Sequence, residues 1–152
     1  ICFDTNGYIK IVYVHTGTSP VYCDNIDYFG VKHLQQVAGE PVQLNQLYQG
    51  CGRPSIVAEK FIAPPALGVA AAPTNYHVSW ESTNYGCFYN KFDMDFIAAG
   101  GEIYINDTDS TSDSPKVSVS ENQVAIVFNA TKNHTVGLGG GEGLLVDIYN
   151  IE

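Results

Sequence analysis

Asp93 and Asp95 are the side chains whose spacing comes nearest to catalytic use. They stand two apart in CFYNKFDMDFI (residues 87–97), an alternation that sets Phe88, Phe92, Met94 and Phe96 on one strand face and Lys91, Asp93 and Asp95 on the other. Two neighbouring carboxylates can divide general acid and general base work, as in glycoside hydrolysis. On an exposed face, such a pair is ordinarily a solubilising charge. A second acidic group, Asp107, Asp109 and Asp113 in DTDSTSD, offers hard oxygens of the kind calcium takes. It lacks the spacing of an EF-hand loop, and a Ser/Asp-rich tip reads as a solvated turn.

The remaining chemical signals are weaker. His15, His33, His77 and His134 have no metal-ligand spacing, and His77, on the face of its strand opposite Trp80, is expected to be exposed. GLGGGEG (residues 137–143) has neither a P-loop lysine nor the G-x-G-x-x-G register, so it reads as a loop rather than a phosphate cradle. No G-x-S-x-G elbow and no H-E-x-x-H pair occurs. The expectation is a protein that is not an enzyme and needs no cofactor and no metal.

Sulfur says more about compartment than about activity. Cys2, Cys23, Cys51 and Cys87 lie at long, unequal intervals without a C-x-x-C pair, which argues against zinc and for structural disulfides in an extracellular protein. Of the three connectivities, Cys2–Cys23 with Cys51–Cys87 closes the most local loops and is the expected one. The alternative is four buried thiols acting as small core residues. Three sequons, at Asn106, Asn129 and Asn133, are expected at strand ends or turns, where a glycan would fit. A chain that opens on Ile1 rather than methionine fits a mature product whose leader has been removed.

Composition narrows the partners. The chain has 152 residues, 45% hydrophobic and 15% charged, with a net charge of −9. This suits one domain over residues 1–152 with a full core. Seven basic residues cannot form a patch against phosphate, so no nucleic acid partner is expected. The longest apolar stretch, from Phe61 to Ala72, is broken by Pro64 and Pro65 and is too short to span a bilayer, so no membrane insertion is expected.

The elements that must position these residues are strands. A period of two recurs in residues 8–15 (YIKIVYVH), 42–44, 56–62, 76–81, 87–97, 102–106, 116–120, 123–129 and 144–151. The first of these is expected to be central and covered on both faces. Only residues 30–38, with Val31, Leu34 and Val37 at spacings of three, hint at a helix. Strands at such intervals, joined by turns such as Asn6-Gly7 and Ser114-Pro115, predict an all-β fold: a disulfide-stapled β-sandwich of immunoglobulin-like or jelly-roll type. Trp80 lies only seven residues before Cys87, which departs from the immunoglobulin Cys…Trp…Cys spacing.

Two features point to assembly. Residues 63–73 (APPALGVAAAP) are too apolar for a linker and too rich in proline for a helix, so they must cover this chain's core or dock on a neighbour. Few charges guard the strand edges, and ten tyrosines supply surface suited to interfaces or to sugar stacking. The leading expectation is a secreted structural subunit that self-associates into an extracellular filament or surface assembly. The alternative is a lectin-like module binding carbohydrate through exposed tyrosines, Trp80 and Asn/Asp loops.

Overall fold

The computed structural model describes residues 1–3, 9–14, 20–26, 42–45, 51–59, 75–82, 85–93, 95–105, 110–120, 123–132 and 142–150. The expected helix over residues 30–38, the apolar stretch 63–73 and the glycine run 137–141 lie outside them. Among the described residues the fold is all-β, with no helix. Its strands are β1 (Cys2–Phe3), β2 (Ile9–Val14), β3 (Val21–Ile26), β4 (Val42–Gln43), β5 (Cys51–Ala58), β6 (Tyr76–Ser82), β7 (Gly86–Phe92), β8 (Ile103–Tyr104), β9 (Ser110–Val119), β10 (Gln123–Lys132) and β11 (Glu142–Asn150).

These strands form three antiparallel sheets, ordered β1-β2-β3-β4, β5-β6-β7-β8 and β11-β10-β9. Every strand pairs with its neighbour in sequence. Immunoglobulin-like and jelly-roll folds require Greek-key crossovers between sheets. No such crossover occurs among the described strands, which form three successive meanders.

The middle sheet is buried on both faces. Along β6, Tyr76, Val78 and Trp80 turn to one side, where they meet Val21, Val42 and Leu44 of the first sheet in one core cluster. Cys87 and Tyr89 of β7 turn to the other side and pack with Val117, Val124, Ile126 and Phe128 of the third sheet in a second cluster. β2 accordingly lies against β5, and β9 lies across β5, β6 and β7. The alternation in YHVSWES is therefore real, but its polar face is not wet: His77 and Ser79 are as buried as Trp80. Serines make this possible. Val117 N–H donates to Ser55 Oγ at 3.3 Å and Cys87 N–H donates to Ser112 Oγ at 3.0 Å, so small hydroxyls join two backbones that approach closely.

At the opposite side, Lys10 of β2 is buried at 3% exposure with its ammonium 5.3 Å from the Tyr76 ring centre and 5.5 Å from that of Phe96. The two rings stack 4.8 Å apart, and their faces attract the cation.

Candidate functional site

The expected acid pair is not a pair in the fold. β7 ends at Phe92, and Asp93 turns the chain: its Oδ1 accepts the N–H groups of Asp95 and Ile97, each at 2.9 Å. A short carboxylate that binds the backbone just ahead of it competes with the strand ladder and stops it. Phe96 then takes a left-handed φ of 60°, which a bulky side chain adopts only when its surroundings compensate. Burial of its ring against Tyr76 and Phe92 supplies that compensation. Asp93 is a turn residue, and the two carboxylates do not share a strand face.

A catalytic-looking constellation does occur, and it is one that spacing did not reveal. His77 Nε2 lies 2.9 Å from Glu59 Oε1, and its Nδ1 lies 2.7 Å from the Tyr89 hydroxyl. Glu59 also takes Lys91 Nζ at 3.2 Å and Asn75 Nδ2 at 2.8 Å. Burial raises the proton affinity of the Glu59 carboxyl, but the bonds from Asn75, His77 and Lys91 outweigh it and hold the group below its ordinary range. Burial likewise drives His77 downward, against a partial lift from Glu59, so its neutral form is favoured. An ionised carboxylate only accepts; Nε2 therefore carries the proton and Nδ1 accepts from Tyr89. His77 is 0% and Tyr89 6% exposed, so neither reacting end is open to a substrate. The relay joins β6 and β7 to Glu59, the residue that follows β5.

The acidic loop resolves into a clamp. Asp107 and Asp109 lie outside the described residues, whereas Asp113 sits within β9. The Arg53 guanidinium reaches Asp113 Oδ1 at 3.3 Å and Glu81 Oε2 at 3.5 Å, and it also bonds Ser114 Oγ. Ser114 N–H donates to Glu81 Oε2 at 2.8 Å. Bonds from Ser114 and Asn129, aided by Arg53, hold the Asp113 carboxyl below its usual range. Arg53 and Ser114 have left-handed φ values of 44° and 54° and mark register irregularities in β5 and β9, so two bulges meet across the sheets. Among the described residues no group of three His, Cys, Asp or Glu side chains converges as a metal centre.

Of the sequon residues, Asn106 and Asn133 lie outside the described residues. Asn129 is not at a strand end. It pairs with Leu144 on one side and Asp113 on the other, and its Nδ2 donates to Asp113 Oδ1 at 3.1 Å. Trp80 is 0% exposed and serves the first core, which removes it as a sugar platform.

Cys51 and Cys87 belong to opposite faces of the middle sheet. Cys51 pairs with Ser82, Cys87 pairs with Glu81, and β6 runs between them. Cys2 and Cys23 are likewise separated by β2, through Lys10 and Val12. Two strand spacings come to about 9.5 Å. A disulfide needs Cα atoms about 4.4–6.8 Å apart, so neither expected pairing fits this register.

Among the described residues, β11 has a strand partner on one side only. On the outward face of the third sheet, Val146 and Ile148 of β11 are 52% and 61% exposed, and they pair with half-buried Val127 and Ala125 of β10. β11 is the last strand of its sheet, has nine residues without Pro, Lys or Arg, and pairs with β10 without a register shift. The other sheet ends are guarded. β1, β4 and β8 have two residues each, β5 carries Pro54 and a bulge, and β9 carries Pro115 and Lys116 and lies against the middle sheet. Comparison with known proteins returns no match to any family model, curated protein or solved structure.

Proposed function

We propose that this chain is a secreted structural subunit that self-associates, through strand addition at β11, into an extracellular filament or surface assembly. The observation that carries the reading is the contrast between β11 and every other sheet end. A long, regular edge with outward Val146 and Ile148, and with Asp147 as the single charge between its ends, is a template for another strand, and monomeric proteins ordinarily guard such edges more heavily.

Antiparallel self-pairing centred on Val146 would set Leu144 against Ile148 and keep Asp147 opposite Leu145 rather than another carboxylate. That arrangement closes at a dimer. Head-to-tail addition of a different strand of the next copy propagates instead. The apolar cores and oxidisable cysteines suit export, and glycosylation at Asn106 or Asn133 is compatible with it. The sandwich belongs to this reading as facing meanders held by a disulfide, without the immunoglobulin or jelly-roll order. No enzymatic role is proposed, because the His77 relay is closed to substrate. Carbohydrate binding is the weaker reading, since burial of Trp80 leaves it only exposed tyrosines such as Tyr85 and Tyr104.

Light scattering coupled to size exclusion tests this reading. The expected mass is a multiple of 16.5 kDa, falling to 16.5 kDa in Val146→Lys, Ile148→Lys with strand content unchanged. A monodisperse monomer across the concentration range would overturn it.

A further inference from the structure

We propose that Lys91 and Asn75 react with each other, with Glu59 as the catalyst, and close an isopeptide bond between the start of β6 and the end of β7. The bond would form whether or not β11 pairs with another copy. Val57 pairs with His77, so Glu59 and Asn75 stand opposite each other two residues beyond that pair, and Glu59 N–H donates to Asn75 O at 2.9 Å. His77 in turn pairs with Lys91. Strand periodicity therefore puts Glu59, Asn75, His77 and Lys91 on one face. Lys91 and Asn75 are diagonal neighbours across β6 and β7, about 7–8 Å apart at the backbone, which a lysine side chain can span.

One carboxylate holds both reacting nitrogens. Lys91 Nζ lies 3.2 Å from Glu59 Oε1, and Asn75 Nδ2 donates to Glu59 Oε2 at 2.8 Å. A lysine amine attacks only after losing a proton, and an amide nitrogen leaves only after gaining one. Burial raises the proton affinity of Glu59, but the bonds it receives keep it ionised, so it can act as the base.

Oε1 takes a proton from the Lys91 ammonium, and the freed Nζ attacks the side-chain carbonyl carbon of Asn75. Of the two protons that Nζ gives up, Glu59 passes one to Nδ2 as the old C–N bond breaks, and the released ammonia carries off the other as ammonium. An ammonium and a primary amide thus become a secondary amide and an ammonium ion, with no oxidant and no cofactor. Holding nucleophile, amide and base together replaces a bimolecular encounter. The side chains of Lys91 and Glu59 are 25% and 22% exposed, which leaves ammonia a way out.

Mass spectrometry of the folded, then denatured, full chain tests this directly. The expected mass is below the sequence mass by one ammonia. Trypsin no longer cleaves after an acylated Lys91, so residues 61–116 should appear as one fragment, lighter by one ammonia, in place of 61–91 and 92–116. Lys91→Arg keeps a cation beside Glu59 that stays protonated and cannot attack, and it should restore both the full mass and cleavage after position 91. Glu59→Gln keeps the shape without the base and should do the same. The wild-type digest decides the matter even if a variant loses its strand content. Full sequence mass with cleavage after Lys91, following long incubation of the folded chain at neutral pH, would overturn the proposal. So would loss of ammonia with that cleavage retained, or an intact bond in Glu59→Gln. Light scattering on the same sample reports assembly separately, so absence of the bond and absence of self-association are distinct results.

Discussion

The Tyr89 hydroxyl donates to Nδ1 of His77 across 2.7 Å inside the second core, while the other nitrogen of the ring is held by Glu59 at 2.9 Å. A histidine fixed at both nitrogens and shut from water is a single tautomer built into the packing. Protonation would turn Nδ1 into a donor facing a donor, and Tyr89 would have to find a new acceptor for its own proton.

Stability should consequently fall with acid. The folded His77 has its proton affinity lowered by burial, so below an unfolded value of about 6.5 the unfolded chain takes up a proton that the native chain refuses. Glu59 adds to this at lower pH. Its folded value is depressed, so the stability it lends is present above about 4.5 and is lost as pH falls through the folded value. Urea midpoints should be level from pH 8 to 7 and drop below about 6.5. His77→Gln, which can accept from Tyr89 and donate to Glu59 without titrating, should remove the upper part of the drop. Parallel curves for the two proteins would show that His77 is not its source.

Tyr89→Phe isolates the other half of the relay. The substitution keeps the ring and strands Nδ1 of a fully buried imidazole, a loss of about 1–3 kcal/mol. At roughly 2–4 °C per kcal/mol for a chain of this size, calorimetry should show a clear fall in Tm. A Tm equal to wild type would mean that the hydroxyl bond contributes nothing net.

Gly52 is the third point of test. A Cβ there would come within 2.9 Å of Glu81 Oε1. That oxygen ends a flexible side chain and can swing away, but Glu81 is the group that receives Ser114 N–H and Arg53. Gly52→Ala should cost on the order of 1 kcal/mol through the displaced carboxylate. In the Glu81→Gln background the same change should cost less, and an undiminished cost would point to backbone strain instead. Paired denaturant titrations of the four proteins measure this coupling.

Alternation made most of the strands legible. Residues 8–15, 123–129 and 144–151 correspond to β2, β10 and β11 within a few positions, and the aromatic run opening at Cys87 is β7. What alternation concealed has physical reasons. VYCDNI in β3 carries Asp24 and Asn25, which read as turn residues but are strand when paired with Ile11 and Lys10 of β2. The pattern through residue 97 runs past the strand end because Asp93 diverts the backbone donors after Phe92. His77 and Ser79 read as solvent-facing because polar residues on one face imply water only if nothing covers that face. Here β9 covers it, and Ser55 and Ser112 are small enough to let it close. Which strand lies at the end of each sheet depends on pairing order, which one chain of letters does not encode locally.

The middle sheet leaves neither hydrophobic cluster a wall of its own. Loosening β6 would wet Trp80 on one side and His77 on the other at once, so neither half has a stable remnant to fall back on. Melting should then be all-or-none across the described strands, and a chain pulled from its two ends would yield in one step instead of paying out length sheet by sheet.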